Sequence, residues 1–113
     1  MTQKLTILFD LDGTLADTAP DLMMAHNHVM KKFGYNTKSI DEIKEFVGKG
    51  AAVMIGRSVW GEARKELSKI TDKKIKEEMV KDFLIFYKKN IVVKSKLING
   101  VYEFLKWAKS NNI

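Results

Sequence analysis

The stretch LTILFDLDGTLADTAPDL, residues 5–22, places Asp10 and Asp12 two positions apart, directly after a short and mostly apolar run. The run Leu5 to Phe9 is partly β-branched, which is typical of a strand buried on both faces of a parallel sheet. Asp12-Gly13 supplies the turn chemistry that ends such a strand. Two carboxylates this close in sequence repel each other unless a ligand or a reaction uses them.

The two aspartates are predicted to act together. Residues two apart on an extended segment point to the same side, so both side chains should project at the carboxyl end of the strand, where parallel sheets bind ligands. Gly13 favours a tight turn whose N–H groups stay open toward an anion. Paired carboxylates suit Mg²⁺, and with the ion bound one could attack a phosphorus atom while the other transfers a proton.

Two other interpretations of the Asp-Leu-Asp-Gly pattern make different predictions. A calcium-binding loop is excluded by its spacing, because with Gly13 at the sixth loop position the first and twelfth would be Leu8 and Ala19. A plain turn after a strand stays open as an alternative, since Asp and Gly are common in turns.

The rest of the sequence predicts helices separated by glycine or polar turns. Apolar residues recur at helical spacing, and Ser39 and Glu42 have the spacing of a capping box. The predicted helices run from Asp17 or Thr18 to Gly34, from Ser39 to Gly48, from Ala51 to Trp60, through Ala63 to Ile70, from a Thr71 cap to about Asn90, and from Asn99-Gly100 to Asn111. Ile91 to Leu97 is predicted to be extended or a linker. The last helix is predicted to have an inner face made of Val101, Phe104, Leu105 and Ala108.

The composition limits the class of protein. With 113 residues the chain has the length of one domain, and the absence of cysteine excludes disulfides and thiolate metal sites. The net charge is +6, but residues 1–30 carry −3 and the remainder +9. This distribution favours a small anionic substrate near the acidic end, and without a nucleic-acid motif we expect no nucleic-acid partner. Short apolar runs and no recognisable signal peptide predict a cytoplasmic protein without a membrane partner.

The segment FDLDGTLADTAPDL, residues 9–22, resembles the first motif, DxDGT, of the haloacid dehalogenase-like hydrolase superfamily. FVGKGAAVMIGRSV, residues 46–59, resembles the helical-cap segment of phosphoglycolate phosphatases. KLINGVYEFLKWAKSNNI, residues 96–113, resembles the segment that leads from the cap back into the core. The resemblance implies an α/β, Rossmann-like hydrolase core with an inserted α-helical cap. Residues 1–15 would belong to the core, 16–91 to the cap, and 92–113 to a linker and a helix returning to the core.

The resemblance also implies roles for the residues of the first motif. Asp10 would be the nucleophile that forms an aspartyl-phosphate, and Asp12 the acid that protonates the leaving alcohol and then activates water. Asp10 and Asp12 would hold Mg²⁺, the latter through its backbone carbonyl. The N–H groups of Leu11 and Gly13 would bind the phosphoryl oxygens, and Thr14 would support the loop.

The substrate is expected to be a small anionic phosphorylated metabolite, with 2-phosphoglycolate as the first candidate. Lys49, in a Gly-Lys-Gly loop, and Arg57 are predicted to recognise a substrate carboxylate. The alternative within the superfamily is a phosphatase or phosphomutase that acts on a sugar phosphate. The oligomeric state is left open.

Three later motifs of the family are expected beyond the cap: a Ser or Thr, a Lys, and an acidic pair that completes the Mg²⁺ site. None falls within the 113 residues, so the sequence is expected to be the amino-terminal half of a family member. An inactive fragment or a helical binding module is the alternative from a different class. His26 and His28 lie two apart on a helix, face different sides, and are expected to be surface or partly packed imidazoles.

Overall fold

The computed structural model describes residues 4–61 and 69–113 of the chain. The elements are, in chain order, β1 (Ala16–Asp17), α1 (Ala19–Phe33), α2 (Ile40–Phe46), α3 (Ala51–Trp60), α4 (Ile70–Lys89), β2 (Lys96–Leu97) and α5 (Val101–Ser110). In these two ranges, no helix combines the length and the apolarity that a membrane span requires.

The first three helices have the ends that local chemistry predicts. α1 carries Pro20 in its first turn and ends at Gly34, which has a left-handed φ of +81° that favours glycine. α2 begins with a capping box, in which the Ser39 hydroxyl accepts from the Glu42 N–H and the Glu42 carboxylate accepts from the Ser39 N–H. α3 spans the range predicted from the sequence.

One apolar core joins helices α1 to α4. Its buried members are Ala25, Val29, Met30, Ile43, Met54, Ile55, Met79 and Phe83. Each of these four helices contributes at least one side chain, so none buries its apolar stripe without the others. The helices therefore form a single packed cluster.

A short antiparallel ribbon lies where the chain enters and leaves this cluster. β1 pairs with β2, with Ala16 opposite Leu97 and Asp17 opposite Lys96. The ribbon is extended by a hydrogen bond of 3.0 Å from the Ile98 N–H to the Leu15 carbonyl. The predicted extended segment 91–97 is thus confirmed at its end, but its pairing with residues 16–17 has no counterpart in the sequence pattern.

Asp21, in the first turn of α1, fastens the chain that follows α4. Its carboxylate is 1% exposed and accepts hydrogen bonds from the backbone N–H groups of Val93, Lys94 and Ser95 at 2.8–3.1 Å. The Ser95 hydroxyl donates to the same carboxylate at 2.6 Å. The start of α1 and the residues before β2 are therefore held together by one buried acid, and we call this arrangement the Asp21 clasp.

The predicted buried strand Leu5 to Phe9 is wrong for this structure. Leu5 is 66% and Leu8 91% exposed, and no ladder of hydrogen bonds includes these residues. A buried parallel strand requires neighbouring strands on both sides, and the described part of the chain places none there.

Two further expectations need correction. α4 begins at Ile70 with Lys69 in the cap position, so Thr71 lies inside the helix and does not cap it. On α5, the predicted inner face is only partly covered, since Ala108 is buried but Phe104 and Leu105 are each 39% exposed. A helical continuation through residues 63–68 lies outside the described residues.

Candidate active site

Asp12 lies between two clefts at the junction of the loop, the ribbon and the helical cluster. The larger cleft has a volume of about 480 Å³ and is lined by Asp12, Gly13, Asp17, Ala19, Lys44, Val47 and Ile98. The smaller cleft, of about 220 Å³, is lined by Asp10, Asp12, Leu22, Phe46, Val47, Gly48, Gly50, Ala51, Met54 and Phe83. Both aspartates therefore face one common space, whose other walls come from α1, α2, α3 and α4.

The carboxylate of Asp12 is oriented by α1. The Thr18 hydroxyl donates to Asp12 Oδ1 at 2.7 Å, and Thr18 is buried. Thr18, one of the two candidates from the sequence, occupies the N-cap position of α1, but its side chain makes no capping hydrogen bond because the hydroxyl is directed to Asp12. This hydrogen bond holds one carboxylate oxygen of Asp12 in place and leaves the other oxygen for a ligand.

Residues 10–16 form a tight turn in which one backbone carbonyl accepts three hydrogen bonds. The Leu11 carbonyl accepts from the N–H groups of Thr14, Leu15 and Ala16 at 3.0–3.2 Å, and Gly13 has a left-handed φ of +77°. The Gly13 N–H donates to the Ala16 carbonyl and the Leu11 N–H to Asp10 Oδ1. Both N–H groups proposed for phosphate thus have partners within the chain, and phosphate binding by them and support by Thr14 stay predictions.

The donors at this site are hard oxygens. Mg²⁺ favours one or two carboxylates and keeps several waters, so Asp10 and Asp12, lining one cleft, fit its requirements. Within residues 4–61 and 69–113, no group of three or more His, Asp or Glu side chains converges on one point. The described residues therefore offer a two-carboxylate set of the kind that leaves most positions on the ion to water or substrate.

Lys49 and Arg57, which the sequence put forward for a substrate carboxylate, do not line either cleft, although Gly48 and Gly50 line the smaller one. Substrate recognition by these two side chains stays a prediction. Lys44, which no pattern in the sequence singled out, does line the larger cleft. No local signal in the sequence indicated this position, because the capping box of α2 does not specify which neighbour its last turn faces.

Tyr87 is a second group that local patterns did not associate with the site. Burial raises the pKa of its phenol, and the charges of Asp12 and Asp21 raise it further. The hydroxyl therefore stays protonated over the neutral range. The sequence places Tyr87 on the apolar stripe of α4, where it contacts the core, and only the fold brings it near the two acids.

His26 is more deeply placed than the sequence suggested. It is fully buried, with Nε2 at 2.7 Å from the Ser58 hydroxyl and Nδ1 at 3.0 Å from Asn27 Oδ1. Burial lowers its pKa, and the hydrogen bond to Asn27 opposes this only in part. His28 is exposed and stacks on the Phe86 ring, so the two imidazoles face different neighbours, as predicted. The hydrogen bond between His26 and Ser58 connects α1 to α3.

Comparison with known proteins identifies the family to which the chain belongs. The family model described as haloacid dehalogenase-like hydrolase matches residues 7–113. A phosphoglycolate phosphatase from Colwellia psychrerythraea is 39% identical over 109 residues, covering 93% of this chain and 46% of that protein. Phosphoglycolate phosphatase 1 from Pseudomonas aeruginosa is 31% identical over 110 residues, covering 95% of this chain and 38% of that protein.

Solved structures have the same arrangement of elements. A crystal structure from Haemophilus somnus 129PT, described as a predicted phosphoglycolate phosphatase, matches with a TM-score of 0.75 and 30% identity over 91% of this chain and 45% of that chain. A structure from Lactobacillus delbrueckii subsp. bulgaricus, with a TM-score of 0.76 and 21% identity over 90% of this chain and 48% of that chain, supports the fold alone. The chain spans about half the length of the relatives it matches. Its fold is α/β, part of a Rossmann-like hydrolase core with a helical cap, and the chain belongs to the haloacid dehalogenase-like hydrolase family.

Proposed function

We propose that this chain provides the nucleophile half of a Mg²⁺-dependent phosphatase that hydrolyses a small phosphomonoester, with 2-phosphoglycolate as the substrate. The observation that carries the proposal is that Asp10 and Asp12 line one cleft at the start of the helical cluster. The resemblance to proteins named phosphoglycolate phosphatase supports the choice of substrate.

The two aspartates would divide the chemistry between nucleophilic and acid–base roles. Asp10 would attack the phosphorus and form an aspartyl-phosphate, with the P–O bond to the alcohol breaking. Asp12 would give its proton to that alcohol oxygen, and would then take a proton from the water that hydrolyses the intermediate. The hydrogen bond from Thr18 supports this assignment, because it holds the Asp12 carboxylate toward the cleft.

The cation would be held by Asp10 and by the backbone carbonyl of Asp12. When bound, Mg²⁺ supplies charge neutralisation, which lowers the repulsion between an anionic nucleophile and an anionic phosphoryl group. Within residues 4–61 and 69–113, no third His, Asp or Glu side chain joins Asp10 and Asp12 at such a site. We therefore propose that full activity depends on the acidic pair, the Lys and the Ser or Thr that the family carries in its later motifs.

The domain assignment follows from the same proposal. Residues 16–91, which include α1 to α4, would form the cap, and residues 1–15 and 92–113 would belong to the core and its linker. The first crossing between the two parts would then lie at the start of β1, and the second, after residue 91, would lie shortly before β2. A cap over the aspartates would exclude water during phosphoryl transfer, as lids do in other enzymes.

The test is phosphate release from 2-phosphoglycolate by the purified chain in the presence of Mg²⁺. Replacing Asp10 by Asn should abolish release, and Asp12→Asn should lower the rate by about 10²–10⁴-fold, the usual contribution of a positioned acid–base. Asp41→Asn, which changes an exposed carboxylate in the first turn of α2, is the matched control and should leave the rate unchanged.

Three results would count against the proposal. Phosphate release that persists in Asp10→Asn would rule out this nucleophile. Faster hydrolysis of a sugar phosphate than of 2-phosphoglycolate would move the substrate to the alternative within the superfamily. No release from any ester at any Mg²⁺ concentration would favour an inactive fragment or a helical binding module.

A further inference from the structure

The position of Lys44 differs from that of the other lysines and arginines that the structure describes. It lies in the last turn of α2 and lines the larger cleft together with Asp12, Gly13 and Asp17. Among the lysines and arginines of the described residues, it alone lines either of the two clefts. The fold thus sets one positive side chain on the wall of a space that otherwise carries carboxylates.

The ammonium group of Lys44 is not neutralised by the acids that share its cleft. Within residues 4–61 and 69–113, the ion pairs with N···O of 4.0 Å or less are Lys32–Asp82 and Lys38–Glu42, so neither Asp12 nor Asp17 is that close to Lys44. The space between them is part of a cleft of about 480 Å³, which lies within the usual range of small-molecule sites.

The charges in this cleft select the kind of molecule that fits. A substrate with an anionic group at each end would be repelled by Asp12 and Asp17 unless each end met positive charge. Mg²⁺ held at Asp10 and Asp12 would neutralise the phosphoryl end, and the second end requires a cation across the cleft. A lysine ammonium is a compact point charge that pairs with a carboxylate through charge-assisted hydrogen bonds.

We propose that Lys44 is a specificity-determining residue, which binds the carboxylate of a small phosphorylated acid while the phosphoryl group lies at Asp10 and Asp12. The inference rests on the proposed function for the position of the phosphoryl group. Lys44 lines the larger cleft, whereas the sequence-based candidates, Lys49 and Arg57, do not. The substrate class it favours is a phosphorylated carboxylic acid rather than a phosphorylated sugar.

The experiment compares two esters that differ only in the carboxylate. Binding of 2-phosphoglycolate and of ethyl phosphate to the chain with Mg²⁺ is measured by calorimetry for the wild type and Lys44→Met, which keeps the apolar stem and removes the charge. We expect the variant to bind 2-phosphoglycolate about tenfold more weakly, the usual effect of one charge-assisted contact, and ethyl phosphate equally well. Lys31→Met, an exposed lysine in the last turn of α1 outside both clefts, is the control and should bind both esters as the wild type does.

A second measurement separates this inference from the proposed function. Glycolate, which has no phosphate, is titrated without Mg²⁺ in the millimolar range at constant ionic strength, and the side-chain NMR signals of Lys44 and Lys31 are followed. Lys44 should shift and Lys31 should not, in the wild type and equally in Asp10→Asn. If neither ester binds, the proposed function fails for this chain, and the glycolate titration alone decides the inference.

Three results would overturn the assignment of Lys44. Equal losses for both esters in Lys44→Met would mean that the residue contacts phosphate or supports the fold. No loss for 2-phosphoglycolate would mean that it contacts neither end. Glycolate shifts that are equal at Lys44 and Lys31, or absent from both, would mean that the cleft has no carboxylate site.

Discussion

Replacing Asp21 by Ala should destabilise the protein strongly, because the Asp21 clasp is a buried charge that binds three consecutive backbone N–H groups and one hydroxyl. A hydrogen bond to a charged group contributes about 1.5–3 kcal/mol, and a buried donor left unpaired costs about 1–3 kcal/mol. Val93 and Lys94 are exposed enough for water to replace the carboxylate, whereas Ser95 is half-buried. The expected loss in the free energy of unfolding is therefore about 3 kcal/mol, a large part of the stability of a small domain.

The matched control is Asp41→Ala, which also removes an acid from the first turn of a helix but breaks no side-chain hydrogen bond to another segment. It should cost about 0.5 kcal/mol or less, as expected for an exposed charge near a helix N-terminus. Urea unfolding followed by far-UV circular dichroism gives both values. Hydrogen exchange at the N–H groups of residues 93–95 should accelerate in Asp21→Ala alone. Equal losses in the two variants would refute the clasp as a source of stability.

The Asp21 clasp should also make the stability of the protein depend on pH. Burial by itself would raise the pKa of Asp21, but hydrogen bonds from the Ser95 hydroxyl and the backbone N–H groups of residues 93–95 outweigh it and hold the pKa below its ordinary value of 3.8. The unfolded chain therefore binds the proton more readily than the folded one. The stability that Asp21 contributes is complete above its ordinary pKa and is lost as the pH falls through the lower, folded pKa. The difference in stability between wild type and Asp21→Asn should shrink over that same interval.

Two further predictions concern α1 and α2. Because burial lowers the pKa of His26, the folded state favours its neutral form. The stability that His26 contributes should therefore be complete above the ordinary pKa of 6.5 and should fall as the pH drops toward the folded pKa. In thermal unfolding measured as a function of pH, His26→Gln should flatten that part of the profile. A slope that is unchanged in the variant would place the titrating group elsewhere. Ser39→Ala removes the capping box of α2 and should lower the free energy of unfolding, measured in urea, by about 1 kcal/mol. Ser110→Ala, at the exposed end of α5, is the control and should cause no measurable change. Equal effects in the two serine variants would contradict a specific capping contribution.

The helical elements could be predicted well because their signals are local. The Ser39–Glu42 capping box, the Gly34 stop and the apolar spacing of α3 each involve residues within a few positions of one another, which interact wherever the segment folds. The failure at Leu5 to Phe9 has the opposite cause. A strand is defined by hydrogen bonds to other strands, so its composition predicts only what it would do beside suitable partners.

The candidate site was predicted in part. The pattern of Asp10, Asp12 and Gly13 identified the loop that lines the clefts, because that motif is continuous in sequence. Lys44 was missed, since nothing in a capping-box helix indicates which neighbour its last turn will face. Thr18 was one of two candidates for the cap of α1, and the hydrogen bond from its hydroxyl to Asp12 depends on how the loop folds back over the helix.

The sequence alone therefore determined the Asp-Leu-Asp-Gly motif, the family resemblance and the succession of helices, because these depend on neighbouring residues. The tertiary structure decided which charges meet. The Asp21 carboxylate binds N–H groups more than 70 positions later in the chain, and Lys44 of α2 lines the same cleft as Asp12 of the loop. Pairs so distant in sequence leave no local spacing to detect, because only the packing of α1 to α4 and the pairing of β1 with β2 bring them together.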